Sequence, residues 1–144
     1  MNNLRQTFPN KIVGGIRIIL GIIFIMTGLM KLFMANYGEA WSIQLLEAEI
    51  PLYTFNYWFV PILESILGLF LLLGSHSRIN ALIVLPIMFV AIYVHLTVTD
   101  PGAFPSQPQE PYMPIAVILM ALVVLIKGAG SWSMDLKSYR ELHI

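Results

Sequence analysis

The chain has 144 residues, a formal net charge of zero, 58% hydrophobic residues and only 11% charged residues. A soluble domain carries about a quarter charged residues, so this composition excludes water as the solvent for most of the surface and predicts an integral membrane protein. The sequence contains no basic run, which excludes a nucleic-acid partner. It contains no cysteine, which excludes disulfides, thiolate metal sites and dithiol redox relays within the chain.

Four apolar segments follow one another along the chain, and a membrane-spanning helix needs about 17–25 such residues. They lie at about residues 12–34, 57–74, 79–98 and 112–127. The first is longer than the apolar region of a signal peptide, which is roughly 7–15 residues, so we interpret it as an uncleaved membrane anchor. We therefore predict an all-α membrane protein: a four-helix transmembrane bundle that forms a single domain over residues 1–144.

The connections between the spans differ in character. Residues 35–56 form the longest one, and within it the segment Glu39–Glu49 predicts a short amphipathic helix at the membrane surface, ended by Pro51. The tight link Gly74–Arg78 makes the second and third spans antiparallel neighbours. Residues 100–111 are predicted to form an extended loop over the bundle, because proline interrupts helices. The prolines of this segment are Pro101, Pro105, Pro108 and Pro111.

The distribution of cations predicts the orientation. When the spans alternate in direction, one side of the membrane receives Arg5, Lys11, Arg78, Lys127, Lys137 and Arg140. The connections on the other side contain no Lys or Arg. Because Lys and Arg mark the cytoplasmic face, both termini are predicted to be cytoplasmic, with a bacterial inner membrane as the expected location. Aromatic residues such as Trp41 and Trp58 are then expected near the outer membrane surface.

Glycines in the first span predict how it packs. Gly14, Gly21 and Gly28 recur at seven-residue spacing, and Arg17 and Lys31 share their face of the helix. Small residues permit close helix approach in lipid, where packing replaces the hydrophobic driving force. We therefore expect the glycines and both cations to face the inside of the bundle.

The ionisable groups within the predicted spans are Arg17, Lys31, Glu64 and His95. Such groups cost about 2.5–3.5 kcal/mol each on insertion scales and are usually functional or paired. At a rise of about 1.5 Å per residue, Lys31 and His95 lie roughly 5 Å, and Glu64 roughly 10 Å, inside the outer boundary. We predict that these three form one ligand-binding or proton-carrying cluster, with Tyr93 and Trp58 lining the same pocket.

Each of these residues also has a structural interpretation. Lys31 can extend its ammonium group to the membrane surface, Glu64 can serve only as the partner of a cation, and His95 can bond a backbone carbonyl. For Arg17, near the opposite end, we predict a structural ion pair with Asp135 that ties the first span to the segment after the last. One histidine with one glutamate is not a metal site, so no metal is predicted.

The polar and glycine motifs together resemble the DoxX family of small four-helix membrane proteins. The similar segments are RIILGIIFIMTGLMKL (17–32), PILESILGLFLLLGSHSRINAL (61–82), YVHLTVTD (93–100) and GAGSWSMD (128–135). The positions that resemble the polar pattern of the family are Arg17, Lys31, Glu64, Arg78, His95 and Asp135.

This resemblance implies a membrane subunit or accessory protein of quinone-linked redox chemistry. The family name derives from a subunit of an archaeal thiosulfate:quinone oxidoreductase, and related proteins are linked to oxidative-stress complexes. The expected ligand is a quinone or another small apolar molecule in the outer half of the bundle, and no intrinsic cofactor is expected. Any enzymatic role would be that of an oxidoreductase component using a quinone.

The expected partners are the lipid bilayer, a redox enzyme and a second copy of the chain. One alternative is a non-enzymatic assembly, scaffold or binding protein, whose charges only fix its helices while a partner enzyme carries out the chemistry. The other is a small transporter, although no inverted repeat is visible in the sequence, and transporters commonly place their sites at a repeat interface.

Overall fold

The computed structural model describes residues 6–98 and 110–141, and this part of the chain is helical and contains no strand. The helices, in chain order, are α1 Lys11–Phe33, α2 Ala35–Glu47, α3 Tyr53–Leu73, α4 Ser77–Thr97, α5 Tyr112–Lys127 and α6 Met134–Glu141. The predicted loop over residues 100–111 lies outside the described residues except for its last two positions, as does Arg5.

Three of these helices, α1, α3 and α4, are long and apolar enough to cross a membrane. Their outward-facing side chains are largely hydrophobic, as a surface in contact with lipid requires. Examples are Ile22, Met26, Phe59, Ile66, Leu69 and Phe89. The fourth apolar helix, α5, has 16 residues. At about 1.5 Å per residue it is roughly 24 Å long, shorter than a hydrocarbon core of about 30 Å.

Local chemistry determines where α1 begins and where α3 ends. The side chain of Asn10 accepts a hydrogen bond from the Val13 backbone N–H at 3.1 Å, which caps the start of α1. The third helix begins at Tyr53, four residues before the predicted Tyr57. It ends at Gly74, whose φ of 67° lies in the left-handed region that favours glycine.

The helix predicted between the first two long spans is longer than expected and packs against the bundle. It begins at Ala35 instead of Glu39, and it buries Gly38, Ala40, Trp41, Gln44 and Leu45. Trp41, for which the sequence predicts a position near the membrane surface, is only 8% exposed and faces the inside of the protein. The apolar and small residues of α2 therefore cover one end of the bundle.

The structure contains a further helix that the sequence pattern did not predict, α6. It follows residues 128–133, which fold back onto the start of α1: the Ser131 N–H donates to the Asn10 carbonyl at 3.0 Å. The Gly130 N–H donates to the buried Thr7 hydroxyl at 2.9 Å. A methyl group on Gly14 would lie 2.6 Å from the Ser131 carbonyl oxygen, so this loop needs a glycine in α1.

The antiparallel pair α1 and α3 forms the most extensive helix contact, followed by α4 and α5. The prediction that the glycine face of α1 is inside the bundle is confirmed, since Gly14, Gly21 and Gly28 are all buried. A methyl group on Gly28 would lie 2.6 Å from the Pro61 carbonyl oxygen, and one on Gly68 would lie 2.5 Å from the Ile25 backbone nitrogen. The two backbones are therefore nearly in contact.

The core lies among the four apolar helices. Its fully buried members are Leu20 and Phe24 of α1, Leu67 and Leu71 of α3, Ala81, Val84 and Met88 of α4, and Val117, Ala121 and Val124 of α5. By contrast, α3 and α4 touch each other much less than α1 and α3 do, although the tight link Gly74–Ser77 joins them. This difference leaves space on the α4 side of the bundle.

The close α1–α3 contact predicts different effects for substitutions at two helical glycines, one inside the contact and one outside it. Gly68→Ala lowers the free energy of unfolding by about 1–3 kcal/mol, because the added methyl group overlaps the backbone of α1. Gly15→Ala, whose methyl group would meet nothing within 4 Å, leaves the stability unchanged or raises it by up to about 1 kcal/mol. Unfolding of the two purified variants in detergent measures the difference, and equal stabilities would contradict the packing.

Candidate functional site

A cavity of about 500 Å³ lies at the end of the bundle that α2 covers. All of the first five helices contribute to it, and its walls are mostly apolar. The apolar lining includes Ile23, Phe24, Leu45, Ile50, Val60, Ile87, Met88, Val94 and Val117. The polar lining consists of Thr27, Lys31, Trp41, Gln44, Asn56, Glu64 and His95. A mostly apolar cavity with a few convergent polar groups is typical of small-molecule binding sites.

Lys31 and Glu64 form an ion pair in the wall of this cavity. The Lys31 Nζ atom donates to both carboxylate oxygens of Glu64 at 2.9 Å, and the two side chains are only 10% and 5% exposed. Lys31 lies in the last turn of α1, and Glu64 lies one helical turn after Pro61 of α3. The close approach of Gly28 to Pro61 brings these two turns together.

Trp41 holds the ammonium group of Lys31 from the α2 side. The Lys31 Nζ atom lies 4.5 Å from the centroid of the Trp41 ring, a favourable cation–π arrangement. The Trp41 indole N–H donates to the Tyr57 carbonyl at 3.3 Å. That carbonyl is available because Pro61, four residues later in α3, has no N–H to bond it. A helix-interior proline thus creates the acceptor that positions the tryptophan.

His95 lies in the part of the cavity wall that α4 contributes. Its Nδ1 atom is 2.9 Å from the Ala91 carbonyl oxygen. Because a carbonyl oxygen only accepts, Nδ1 carries the proton and donates. The Nε2 atom of a neutral imidazole then remains available as an acceptor. His95 therefore bonds a backbone carbonyl, as its structural interpretation expected. It also lines the same cavity as Lys31 and Glu64.

The structure does not bring Tyr93 and Trp58 to this cavity, although the sequence predicted both in its lining. Tyr93 projects from a different face of α4, and its hydroxyl donates to the Ala48 carbonyl at 3.3 Å. Trp58 is 54% exposed and packs edge-on against Tyr57. The prediction rested on their proximity to His95 and Glu64 in sequence and depth. Both side chains leave their helices at other angles and so lie outside the lining.

Sequence reasoning missed the residues of α2 that complete the cavity. Trp41, Gln44 and Leu45 have the i, i+3, i+4 spacing of one helix face, and all three are buried. That spacing was a usable signal for a face turned towards the protein. Asn56 was also missed; its side-chain amide donates to the Pro51 carbonyl at 2.7 Å and holds the turn between α2 and α3.

Arg17 occupies a second buried polar site, at the opposite end of α1. Its side chain is fully buried, and each guanidinium nitrogen donates to backbone carbonyl oxygens. The Nε atom donates to Ala129 at 2.9 Å, Nη1 to Leu71 and to Leu72, and Nη2 to Trp132 at 2.9 Å and Ser131 at 3.3 Å. Arg17 therefore joins α1 to the last turn of α3 and to the loop before α6.

Asp135 is not the direct partner of Arg17, and the ion pair predicted between them has to be corrected. The carboxylate of Asp135 instead accepts hydrogen bonds from the His76 N–H at 2.8 Å and the Ser77 N–H at 2.9 Å, at the start of α4. Its own N–H donates to the Gly74 carbonyl at 2.9 Å. Asp135 still lies close enough to interact electrostatically with Arg17.

This arrangement has a physical reason. The C-terminal end of a helix carries unpaired carbonyls and partial negative charge, whereas the N-terminal end carries unpaired N–H groups and partial positive charge. Arg17 therefore binds the carbonyls at the end of α3, and Asp135 binds the amides at the start of α4. Each charge satisfies backbone groups that lipid cannot hydrate. Both sites are architectural and lie away from the cavity.

Over residues 6–98 and 110–141, no group of three or more His, Cys, Asp or Glu side chains is arranged to hold a metal ion.

A sequence model of the DoxX family matches residues 13–97, more than half of the chain. This range covers α1 from its third residue through to the end of α4. It includes Arg17, Lys31, Glu64 and His95, and it ends before Asp135. Neither the search of curated proteins nor the search of solved structures gave a match.

The buried ion pair predicts a strong non-additivity between its two members. Lys31→Met and Glu64→Gln each lower the free energy of unfolding by about 3–5 kcal/mol, because each leaves an uncompensated group in an apolar wall. The free energy of unfolding of the double variant falls by markedly less than the sum of the two single effects. The exposed Glu39→Gln is the matched control, with a change within about 0.5 kcal/mol. Denaturant unfolding in detergent measures all four variants, and additive single effects would contradict the pairing.

Proposed function

The chain belongs to the DoxX family, and we propose that it is an accessory membrane component of quinone-linked redox chemistry that binds a quinone-like or other small apolar ligand in its cavity. The observation that carries this proposal is the apolar cavity of about 500 Å³ with a buried Lys31–Glu64 ion pair in its wall. Ligand pockets commonly measure about 300–1,000 Å³ and combine apolar walls with a few polar groups.

The polar groups of the cavity suit the chemistry of a quinone headgroup. The ammonium group of Lys31 has three N–H donors, and its contacts with the two Glu64 oxygens leave it able to donate to a ligand carbonyl. The Nε2 atom of His95 can accept a proton or a hydrogen bond from the other side. In this proposal Lys31, Glu64 and His95 hold the headgroup and carry protons.

Reduction of a quinone to a quinol takes up two electrons and two protons. We propose that a partner redox enzyme exchanges the electrons with the ligand, while Glu64 and His95 exchange the protons on its oxygens. The chain supplies no cysteine for electron transfer. In this role it is a component of an oxidoreductase system, with the ligand as the redox-active molecule and no resident cofactor beyond it.

We further propose that α1, α3, α4 and α5 are the four spans, with both termini on the cytoplasmic side of a bacterial inner membrane. The described cations support this orientation, because they lie at the helix ends or in the segments near the Arg17 site. They are Lys11, Arg78, Lys127, Lys137 and Arg140. The cavity is at the other end of the bundle and so lies in the outer half.

A second candidate function is that of a membrane assembly or scaffold protein without chemistry of its own. The observation that favours it is that the buried charges have partners within the protein: Lys31 and Glu64 bind each other, and the hydrogen bonds of Arg17 with described residues all go to backbone carbonyls. In this reading the exposed apolar helix faces would contact a partner enzyme or a second copy of the chain. The two functions differ in whether the cavity binds a ligand.

Fluorescence of Trp41 tests ligand binding directly, because Trp41 lines the cavity and a quinone quenches tryptophan. In the variant Trp58→Phe/Trp132→Phe, Trp41 is the remaining tryptophan, and a decyl-substituted benzoquinone is expected to quench it saturably. In Trp41→Phe/Trp132→Phe the reporter is Trp58, which lies outside the cavity. There the quenching should rise without saturation as the quinone partitions into detergent.

Identical, non-saturating quenching of the two reporters would contradict the proposed ligand site. It would favour the assembly function instead.

A further inference from the structure

We infer that Gln44 of α2 is the residue that recognises the headgroup, and that the ligand is an uncharged amphiphile bearing carbonyl or hydroxyl oxygens. This inference rests on the proposed function and names a binding residue and a ligand class for the same cavity.

The side chain of Gln44 is buried but forms no hydrogen bond within the part of the chain that the structure describes. It is 5% exposed, it lines the cavity, and its carboxamide makes no hydrogen bond with any described residue. Buried polar groups are nearly always hydrogen-bonded, so an exception that faces a cavity indicates that its partner is a molecule in the cavity. By contrast, Trp41 lies one turn earlier on the same helix face and has partners in the protein: its N–H donates to the Tyr57 carbonyl, and its ring contacts the Lys31 ammonium group.

The carboxamide can bind both redox forms of a quinone. Its N–H groups donate to the carbonyl oxygen of the oxidised form, and its own oxygen accepts from the hydroxyl of the reduced form. A residue with only donors or only acceptors would favour one form. Gln44 therefore holds the headgroup through a change of redox state, while Lys31, Glu64 and His95 deal with the protons.

The charges of the lining determine that the headgroup is neutral. The positive charge of Lys31 is compensated by Glu64 at 2.9 Å, and no other Lys, Arg, Asp or Glu is among the described residues that line the cavity. An anionic phospholipid headgroup would require an uncompensated cation. Without Glu64 the charge of Lys31 would be uncompensated, so the ion pair selects against anionic ligands.

The cavity also has a route for an apolar tail. Pro86 and Val90, one turn apart on α4, line the cavity and are also exposed on the outer surface of the bundle. The helices α3 and α4 make little contact with each other. A tail can therefore leave the cavity along α4 into the surrounding lipid, with the headgroup held at Gln44.

The test is the effect of Gln44→Met on binding of two probes, measured by quenching of Trp41 in the Trp58→Phe/Trp132→Phe background. Methionine keeps the length and helix preference of glutamine but removes the carboxamide. We expect the Kd of a decyl-substituted benzoquinone to rise about tenfold, as for the loss of one hydrogen bond. The competing affinity of decylbenzene, which has no oxygen, should remain unchanged.

Two further variants separate the loss of the carboxamide from a general change in α2. Gln44→Asn retains the carboxamide on a shorter side chain and should give a smaller loss of affinity. Ser42→Ala removes the hydrogen bond between Ser42 and Tyr53 that attaches α2 to α3, without touching the cavity lining, and should leave the quinone Kd within about twofold of the parent. Thermal unfolding of each variant verifies that it is folded.

The outcomes separate this inference from the proposed function. Saturable binding by the parent with an unchanged Kd in Gln44→Met would overturn the role of Gln44 and leave the ligand site standing. Equal weakening of the quinone and decylbenzene would show that the substitution only deforms the cavity, and would also overturn it. Absence of saturable binding in the parent would overturn the proposed function and the inference together.

Discussion

The near-contact of the α1 and α3 backbones is the constraint on which the rest of the structure depends. Glycines at Gly21, Gly28 and Gly68 leave no room for a side chain between the two helices. Because the pair is fixed at that distance, the two inward-facing cations of α1 reach α3: Lys31 meets Glu64 at one end, and Arg17 meets the terminal carbonyls at the other. Helix packing, rather than the charges themselves, sets both polar sites.

Backbone irregularities supply the partners that buried polar side chains need in an apolar surrounding. Pro61 frees the Tyr57 carbonyl for the Trp41 indole, and the end of α3 offers its carbonyls to Arg17. The start of α4 offers its amides to Asp135. An unpaired backbone group in lipid is costly, and so is an unpaired polar side chain. At helix ends and prolines, each satisfies the other. The carboxamide of Gln44 differs because it lines the cavity and has no such partner among the described residues.

Much of the helical arrangement follows from the sequence, because long apolar segments and a seven-residue glycine spacing are strong, local signals. The association of Lys31 with Glu64 was also predictable from their depths. The pairing of Arg17 with carbonyls was not, since sequence identifies charged partners but not unpaired backbone groups. The burial of Trp41 was not predicted, because an aromatic residue near a span end is commonly read as an interfacial side chain and not as part of a cavity wall. Tyr93 and Trp58 were misplaced because sequence proximity does not fix helical rotation.

The most direct test of the account is native mass spectrometry of the detergent-purified protein with its co-purifying lipids. The account predicts a retained quinone that is lost in Glu64→Gln and in His95→Ala, and kept in Tyr93→Phe, whose hydroxyl lies outside the cavity lining. Retention of ordinary phospholipid alone, or of a quinone indifferent to the first two substitutions, would contradict it. Either result would make the polar cavity a structural feature and assign the protein an assembly role.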